Sequence, residues 1–450
     1  MALIWAWNPD IPGECNCESS SNAGWAPMYQ QGWRWGSSSG NDTETDIINH
    51  ARHPQEVGYG GSDHALRVQA GGWHANYTYY SYLTSPANCW PAINDGIIQF
   101  HLYTNHTESD YPVLTLYGPG GEVFHLHQSG LKLLARYMKS GFGMTDGLVT
   151  TAEYALNTWV VVSIRLKTHA TEGEIEISIN GMPAESSGIL AMGHALEWNQ
   201  FRVWSTRGRW DYYRRFTHFT VYDDPTLDNA LEIIKWTCVL RPSSDALDGS
   251  WEDPGGLTDD LFSEVNEETF STANYCTTIA SADEVRWGVD TDDIDPAWAP
   301  STIDGVVVSA AMRGDGSLYS GQAVLSAARS LTGTAAMTAS GTTVTGTGTD
   351  FSPEVQVGDF VKLDADGEEA WTQVDTVDSD GQLTLVTGGY LGSTGSGTIS
   401  AQAMGALTAT TLLTKYVDPV VRPTVPGTAN PWTTVTIDAA ELGAKVREIT

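Results

Sequence analysis

A chain of 450 residues with 55 acidic side chains raises one question first: are any two carboxylates spaced to work as a pair? Hydrolysis of a glycosidic bond needs two carboxyl groups about 5–9 Å apart. Glu174 and Glu176 come nearest, but they alternate with Ile175, Ile177 and Ile179 and so read as charge on the wet side of a strand. No G-x-S-x-G, H-E-x-x-H or phosphate-loop pattern occurs, so no catalytic residue is assigned and enzymatic activity is not expected. Cys15-x-Cys17 supplies two thiolates where a structural zinc needs four ligands. His125-x-His127 places two imidazoles on one side of a strand without a third ligand in view. Asp364, Asp366 and Glu368 imitate part of a calcium loop but lack the bidentate Glu at position twelve, and a charged turn is the preferred reading. The one dense group of Arg and aromatic residues in this acidic chain is residues 205–215, STRGRWDYYRR. Arg207, Arg209, Trp210, Tyr212 and Tyr213 are suited to stacking on sugar rings and gripping a carboxylate. They suit a protein interface equally well, and the interface is preferred. Trp33, Trp35 and Trp73 are of the same type, with core packing as their default. Arg313-Gly314-Asp315 reads as a turn.

These residues need a frame. In residues 157–183, Val160, Val162, Ile164 and Leu166 alternate with Val161, Ser163, Arg165 and Lys167, and Ile175, Ile177 and Ile179 follow a turn. That period of two predicts a β-hairpin with one buried and one wet face, its strands connected by Ala170, Thr171, Glu172 and Gly173, with Asn180-Gly181, a pair that tolerates positive φ, closing the second strand. Residues 1–30 open with an alternating Trp-rich strand (Ile4, Trp5, Trp7), and residues 32–40 form another. From about 55 to 224, short strands separated by Gly, Asn, Asp and Ser clusters predict a sandwich. Residues 128–139 are the one helix candidate in this part, and the Leu131–Leu133 spacing leaves a strand open.

The hairpin carries a resemblance. A Trp opening a strand, a charged turn and a strand ending I-x-I-N-G resemble the laminin-G-like, concanavalin-A-like jelly rolls. Residues 60–69 (GGSDHALRVQ) are similar to the early strand of that fold, 113–126 (VLTLYGPGGEVFHL) to its central hairpin, and 219–224 (FTVYDD) to its closing strand. The resemblance covers residues 1–224 and implies a fold shared by lectins, glycanases and structural modules. Such domains often hold calcium; the resemblance implies that ion without placing its ligands.

Beyond residue 225 the texture changes. The order is a strand leading to an R-P pair, an acidic linker, a strand followed by R-x-D-G-S, and then Pro431-Trp432-Thr433, Ile437-Asp438-Ala439 and Glu441-x-Gly443. That ordered set resembles a class of tailed-bacteriophage virion proteins. Val435 and Ile437 are expected in a strand, with a last helical turn over residues 439–445. Residues 331–404 read as an insertion of about five strands, with Val355, Val357, Phe360, Val361, Leu363, Trp371, Val374, Val377, Leu383 and Leu385 as its core. Its T-V-T-G-T-G-T-x-F and V-x-V-G-D resemble a small β-barrel module of phage tail and fibre proteins. The last strand is expected to pair with what precedes residue 331.

The expected architecture is all-β: a jelly-roll β-sandwich (1–224), then a second β-rich domain (225–330 and 405–450) with a small inserted β-barrel (331–404). Net charge is −32, with 13 basic and 22 acidic residues up to position 224 and 10 and 33 after it, or −9 and −23. Such acidity argues against a nucleic-acid partner and for a soluble, self-repelling surface. No run of about 18 apolar residues suggests membrane insertion, and the first ten residues do not resemble a secretory signal. Five scattered cysteines are no disulfide framework and fit assembly in a reducing cytoplasm. The resemblances imply a non-enzymatic virion structural protein, a capsid decoration or tail accessory. It would be assembled in the host cytoplasm, homo-oligomeric, and partnered by major capsid or tail proteins, with weak adhesion to a host-surface glycan. The alternatives are a host-attachment carbohydrate-binding tail or fibre protein, and a glycan depolymerase.

Overall fold

The structure, a computed structural model, describes residues 2–7, 34–37, 43–49, 64–70, 81–85, 87–107, 112–204, 213–223, 230–235, 237, 240–265, 275–278, 283–291, 303–308, 310–312, 319–406, 408–409, 415–416, 420–428 and 430–448. The chain divides into two compact units, Met1–Val239 and Leu240–Thr450. Among the described residues no helix is long and apolar enough to cross a membrane.

The first unit begins with β1 (Ala2–Trp7), β2 (Arg34–Ser37), β3 (Thr43–Asn49), β4 (His64–Ala70) and β5 (Ser81–Thr84). β6 (Asp95–Thr104), β7 (Pro112–Gly118), β8 (Gly121–Ser129), β9 (Lys132–Lys139) and β10 (Gly143–Val149) follow. β11 (Trp159–Lys167), β12 (Glu174–Ile179), β13 (Glu185–Ser186), β14 (Gln200–Trp204) and β15 (Tyr213–Asp223) complete it. Their antiparallel pairings give one sheet in the order β13-β12-β11-β6-β15-β4-β3, with β1 added to β15, and a second in the order β10-β9-β8-β7-β14-β5-β2. One apolar core lies between the sheets: Ile98, Phe100, Val160, Val162, Ile164, Phe216 and Phe219 from the first meet Leu114, Leu116, Phe124, Leu126, Phe201 and Val203 from the second. The unit is a β-sandwich.

The predicted hairpin is β11–β12, with Val162 opposite Ile179 and Leu166 opposite Ile175. Asn180 and Gly181 both take positive φ, 55° and 69°, as the turn requires. Its second face is not in water, however: Val161 and Ser163 are as buried as Val162. A strap of residues 231–235 and 237 covers them. Gln99 donates to Ile233 O at 3.0 Å and accepts from Lys235 N at 2.5 Å, and His101 Nε2 lies 3.0 Å from Lys235 O. The helix candidate at 128–139 is instead the end of β8 and all of β9, where Leu133, Ala135 and Tyr137 turn inward. Its alternation outweighs its helix propensity because β8 and β10 supply partners on both sides.

In the second unit the strands are β16 (Pro242–Leu247), β17 (Glu284–Val289), β18 (Val306–Val308), β19 (Ala311–Met312) and β20 (Tyr319–Ser330). The insertion holds β21 (Thr334–Met337), β22 (Thr343–Thr347), β23 (Phe360–Leu363), β24 (Thr372–Ser379), β25 (Gln382–Leu385), β26 (Gly395–Gly397) and β27 (Ile399–Met404). β28 (Thr408–Ala409), β29 (Lys415–Tyr416), β30 (Val420–Arg422) and β31 (Glu441–Glu448) end the chain. One sheet runs β16-β17-β31-β20-β27-β23-β24-β25-β22-β21-β26. The last strand does pair with the segment before residue 331, but it is β31 and not the stretch around Val435 and Ile437: Tyr319 of β20 lies opposite Glu448 and Leu325 opposite Leu442.

Three expectations are corrected here. No closed barrel is found among the described residues: the insertion is an open path from β27 to β26, continuous with the larger sheet through the β20–β27 pairing. In its core, Val355, Val361, Leu363, Val374, Leu383 and Leu385 cluster, but Val357 is 61% exposed. Phe360 and Trp371 pack instead with Val324 and Met404. At the C-terminus, Val435 and Ile437 lie in a helical turn, Thr434–Asp438, and residues 441–448 form the strand. Thr433 and Thr436 make reciprocal capping bonds, which hold a turn against the β-branched composition.

Candidate functional site

The site residues drawn from the sequence fall mostly beyond view: Arg207, Arg209, Trp210 and Tyr212 lie outside the described residues, as do Cys15, Cys17, Trp33, Trp73, Arg313, Gly314, Asp315 and the side chain of Trp35. Tyr213 begins β15. Its backbone N–H donates to Asn105 Oδ1 at 3.1 Å, and its ring stacks on Tyr103 with the Arg215 guanidinium 4.5 Å from its centre. Arg214 and Arg215, from the same stretch, are buried. Arg214 donates to the carbonyls of Pro112 at 2.7 Å and Trp204 at 3.1 Å, pinning one sheet to the other; burial draws its guanidinium down to about 10.

Directly before that stretch, the chain builds a site the sequence did not reveal. In β14, QFRVW, Phe201 and Val203 enter the core, leaving Gln200, Arg202 and Trp204 on the other face of the sheet. Register places Arg202 between Thr84 of β5 and Thr115 of β7, Trp204 opposite Tyr82, and Gln200 opposite Tyr117. Three rings therefore surround one guanidinium. Arg202 Cζ is 4.2 Å from the centre of Tyr82, 4.8 Å from Tyr117 and 5.1 Å from Trp204, each contact adding about 0.5–1 kcal/mol at a partly exposed position.

The parts are held in place. Arg202 Nε donates to Thr84 Oγ1 at 2.7 Å, and Trp204 Nε1 donates to Thr115 Oγ1 at 3.0 Å, laying the indole across β7. Tyr82 and Trp204 are 4.9 Å apart, tilted by 50°. Beside them, Tyr117 Oη donates to Glu122 Oε1 at 3.1 Å and His125 Nε2 lies 3.2 Å from Glu122 Oε2. Burial, with the charges of Arg136 and Arg202, draws the His125 imidazole below its usual range against the pull of Glu122. His125 and His127 do share β8, with ring centres 5.7 Å apart, but His125 turns to Glu122. Among the described residues no group of three His, Cys, Asp or Glu is placed to hold a metal.

The remaining sequence candidates are engaged elsewhere. Glu176 pairs with Arg165 at 3.0 Å, and Glu174 accepts from Ser186 at 2.7 Å. Asp364 accepts from Ser400 and Asp366 from Tyr390. Glu368 enters a surface cavity of about 470 Å³ in the second unit, lined also by Glu284, Arg286, Lys362, Trp371 and Lys445. There Lys445 Nζ meets Glu368 at 2.5 Å and Glu284 at 3.2 Å, Lys362 meets Glu368 at 3.2 Å, and Arg286 meets Glu284 at 3.0 Å. Those charges answer one another, so the cavity reads as a structural ion network.

No family model and no curated protein matches the chain. Among solved structures, a carbohydrate esterase of the Shiga toxin-encoding bacteriophage phi24B is similar at 14% identity and a TM-score of 0.29, over 48% of this chain and 98% of that one. The receptor-binding domain of botulinum neurotoxin type G is similar at 12% identity and 0.30, over 62% and 72%. Domain 4 of an extracellular arabinanase from Geobacillus stearothermophilus, in complex with arabinotriose, is similar at 11% identity and 0.31, over 51% and 96%. At such scores the likenesses carry no argument, and the class follows from the chain's own sheets: an all-β protein whose first unit is an antiparallel β-sandwich.

Proposed function

We propose that this is a non-enzymatic structural protein of a tailed-bacteriophage virion, a capsid decoration or tail accessory, whose laminin-G-like first unit adheres to a host-surface saccharide. The observation that carries the binding half is the ring-framed face of the second sheet, where Tyr82, Tyr117 and Trp204 surround Arg202. Partly exposed rings offer flat apolar surface to the C–H faces of sugars, and polar neighbours set orientation. The virion half rests on the ordered C-terminal motifs, which resemble virion proteins through residues 225–330 and 405–450 around the insertion at 331–404. Its partners would be major capsid or tail proteins and further copies of itself, since virion accessories take the symmetry of their sites.

Binding rather than hydrolysis is favoured because the carboxylates about the patch are engaged: Glu122 with Tyr117 and His125, and Asp146 with Arg136 at 2.6 Å. The test has two arms. Cryo-electron microscopy of the virion should show this chain on the capsid lattice or the tail; its absence from the particle would sink the structural role. On a glycan array the full chain should bind, with Trp204→Ala weakening the interaction about tenfold, the scale of a lost stacking platform. Release of reducing ends, abolished by Glu122→Gln, would replace adhesion with depolymerisation.

A further inference from the structure

Arg202 is committed at one edge. Its Nε donates to Thr84, while no described residue accepts from Nη1 or Nη2. Three other described arginines of the unit are engaged: Arg136 holds Asp146, Arg165 holds Asp95 and Glu176, and Arg214 donates to carbonyls. Glu122, on the same face, has one oxygen with Tyr117 and the other with His125. A guanidinium fixed at Nε and flanked by rings presents its Nη1–Nη2 edge as a preset fork, the geometry that takes a carboxylate with two parallel hydrogen bonds. Among the described residues no carboxylate reaches that edge, although this segment of the chain holds 22 acidic against 13 basic residues.

The shape of the surroundings narrows the ligand. In register across six strands stand Thr84, Arg202, Thr115, His125, Arg136 and Asp146. At the usual strand spacing this polar row runs about 24 Å perpendicular to the strands. Thr84 and Thr115 are buried and bonded to Arg202 and Trp204, so the surface offered is the ring-framed guanidinium with His125, Arg136 and Asp146 beyond it, which fits a chain of sugar units lying across the sheet with one acidic unit seated at Arg202.

We propose that this face binds an anionic saccharide, through a salt bridge between the Arg202 Nη edge and the carboxylate of a uronic or sialic acid unit stacked beside Trp204. This rests on the saccharide-binding reading above and adds the charge of the ligand to it. The experiment uses the full chain on an array of sialylated and uronate-containing oligosaccharides, each printed beside its methyl ester, which removes the charge and keeps the ring. Arg202→Gln and Arg202→Lys are run alongside, with the thermal midpoint of each confirming an intact fold. The expected result is that the acid binds and its methyl ester binds about tenfold or more weakly. Arg202→Gln should lose the same factor and Arg202→Lys should fall between, as expected when a bidentate charged contact becomes a point charge. Equal binding of acid and ester, Trp204-dependent, would overturn the carboxylate and leave saccharide adhesion standing. No saccharide binding at all would overturn both. Arg202-dependent binding of poly-glutamate without any saccharide would overturn the proposal in favour of a protein interface.

Discussion

Lys445 brings a positive charge to a side-chain position only 3% exposed, where Glu284 and Glu368 receive it. Removing one member of such a network leaves the others buried without an answer, which costs about 3–5 kcal/mol in a fully buried pair. Glu368 is partly exposed, so water recovers part of that, and Lys445→Met is expected to lower stability by about 2–3 kcal/mol, read from the urea midpoint. Glu368 also sets a pH dependence. Burial alone would raise its carboxyl, but the Lys445 bond and charge, with the Trp371 N–H at 2.8 Å, outweigh it and hold the group at about 2. A carboxylate depressed in the folded state contributes stability that is whole above its ordinary value of 4.5 and is lost as pH falls toward 2. The urea midpoint should therefore fall between pH 4.5 and 2, and more steeply in the parent than in Glu368→Gln; identical slopes would refute the assignment.

At the scale of elements, the strap of residues 231–235 and 237 lies on the outer face of the first sheet. Beneath it the rings of His101 and His218 lie 4.6 Å apart. Thr237 N donates to His218 Nδ1 at 3.0 Å, so that nitrogen must stay unprotonated. His218 sits at positive φ, 52°, where the β15–β6 register shifts between Thr217 and Thr220. Burial, with the neighbouring His218, draws the His101 imidazole well below 6.5, and its bond to Lys235 O offsets only part of this. Facing the pair are Lys235 and Thr237 of the strap and Gln99 beside it on β6. A histidine depressed in the folded state costs nothing above its ordinary value of about 6.5, where it is neutral folded or unfolded, and destabilises the folded form increasingly as pH falls below that value. Hydrogen exchange at the Lys235 and Thr237 amides should therefore accelerate between pH 6.5 and 5 ahead of the sandwich core. His101→Gln, which cannot charge, should flatten that rise; an unchanged profile would exclude the pair as its cause.

At the scale of the whole molecule, the two units hold separate cores. The first is drawn from residues 66–221, the second from clusters between residues 240 and 446. Each is a cooperative assembly of antiparallel strands, and calorimetry of the full chain is expected to resolve two transitions. The acidity is uneven, −9 up to residue 224 and −23 after it, so salt that screens self-repulsion should raise the second unit's transition more. A fragment Met1–Val239 should keep the first transition; its loss would show that the sandwich depends on the second unit.

How far the sequence alone reached can be followed residue by residue. Period-two alternation determined the all-β class and the β11–β12 hairpin, and Asn180-Gly181 marked the end of its second strand, because strand periodicity and turn chemistry are local. Tertiary structure decided the rest. Val161 and Ser163 are buried by a strap about 70 residues away, β9 is a strand because β8 and β10 flank it, and Thr434–Asp438 is a turn because Thr433 and Thr436 cap it. The aromatic stretch at 205–215 follows β14 directly in sequence, but the ring-framed Arg202 could not be read from it. Tyr82, Tyr117 and Trp204 are distant in sequence and meet only because the sheet order sets β5 and β7 on either side of β14. A face pattern says which side chains share a side of a strand; which strand stands beside it is fixed by non-local pairing and by the packing of one shared core.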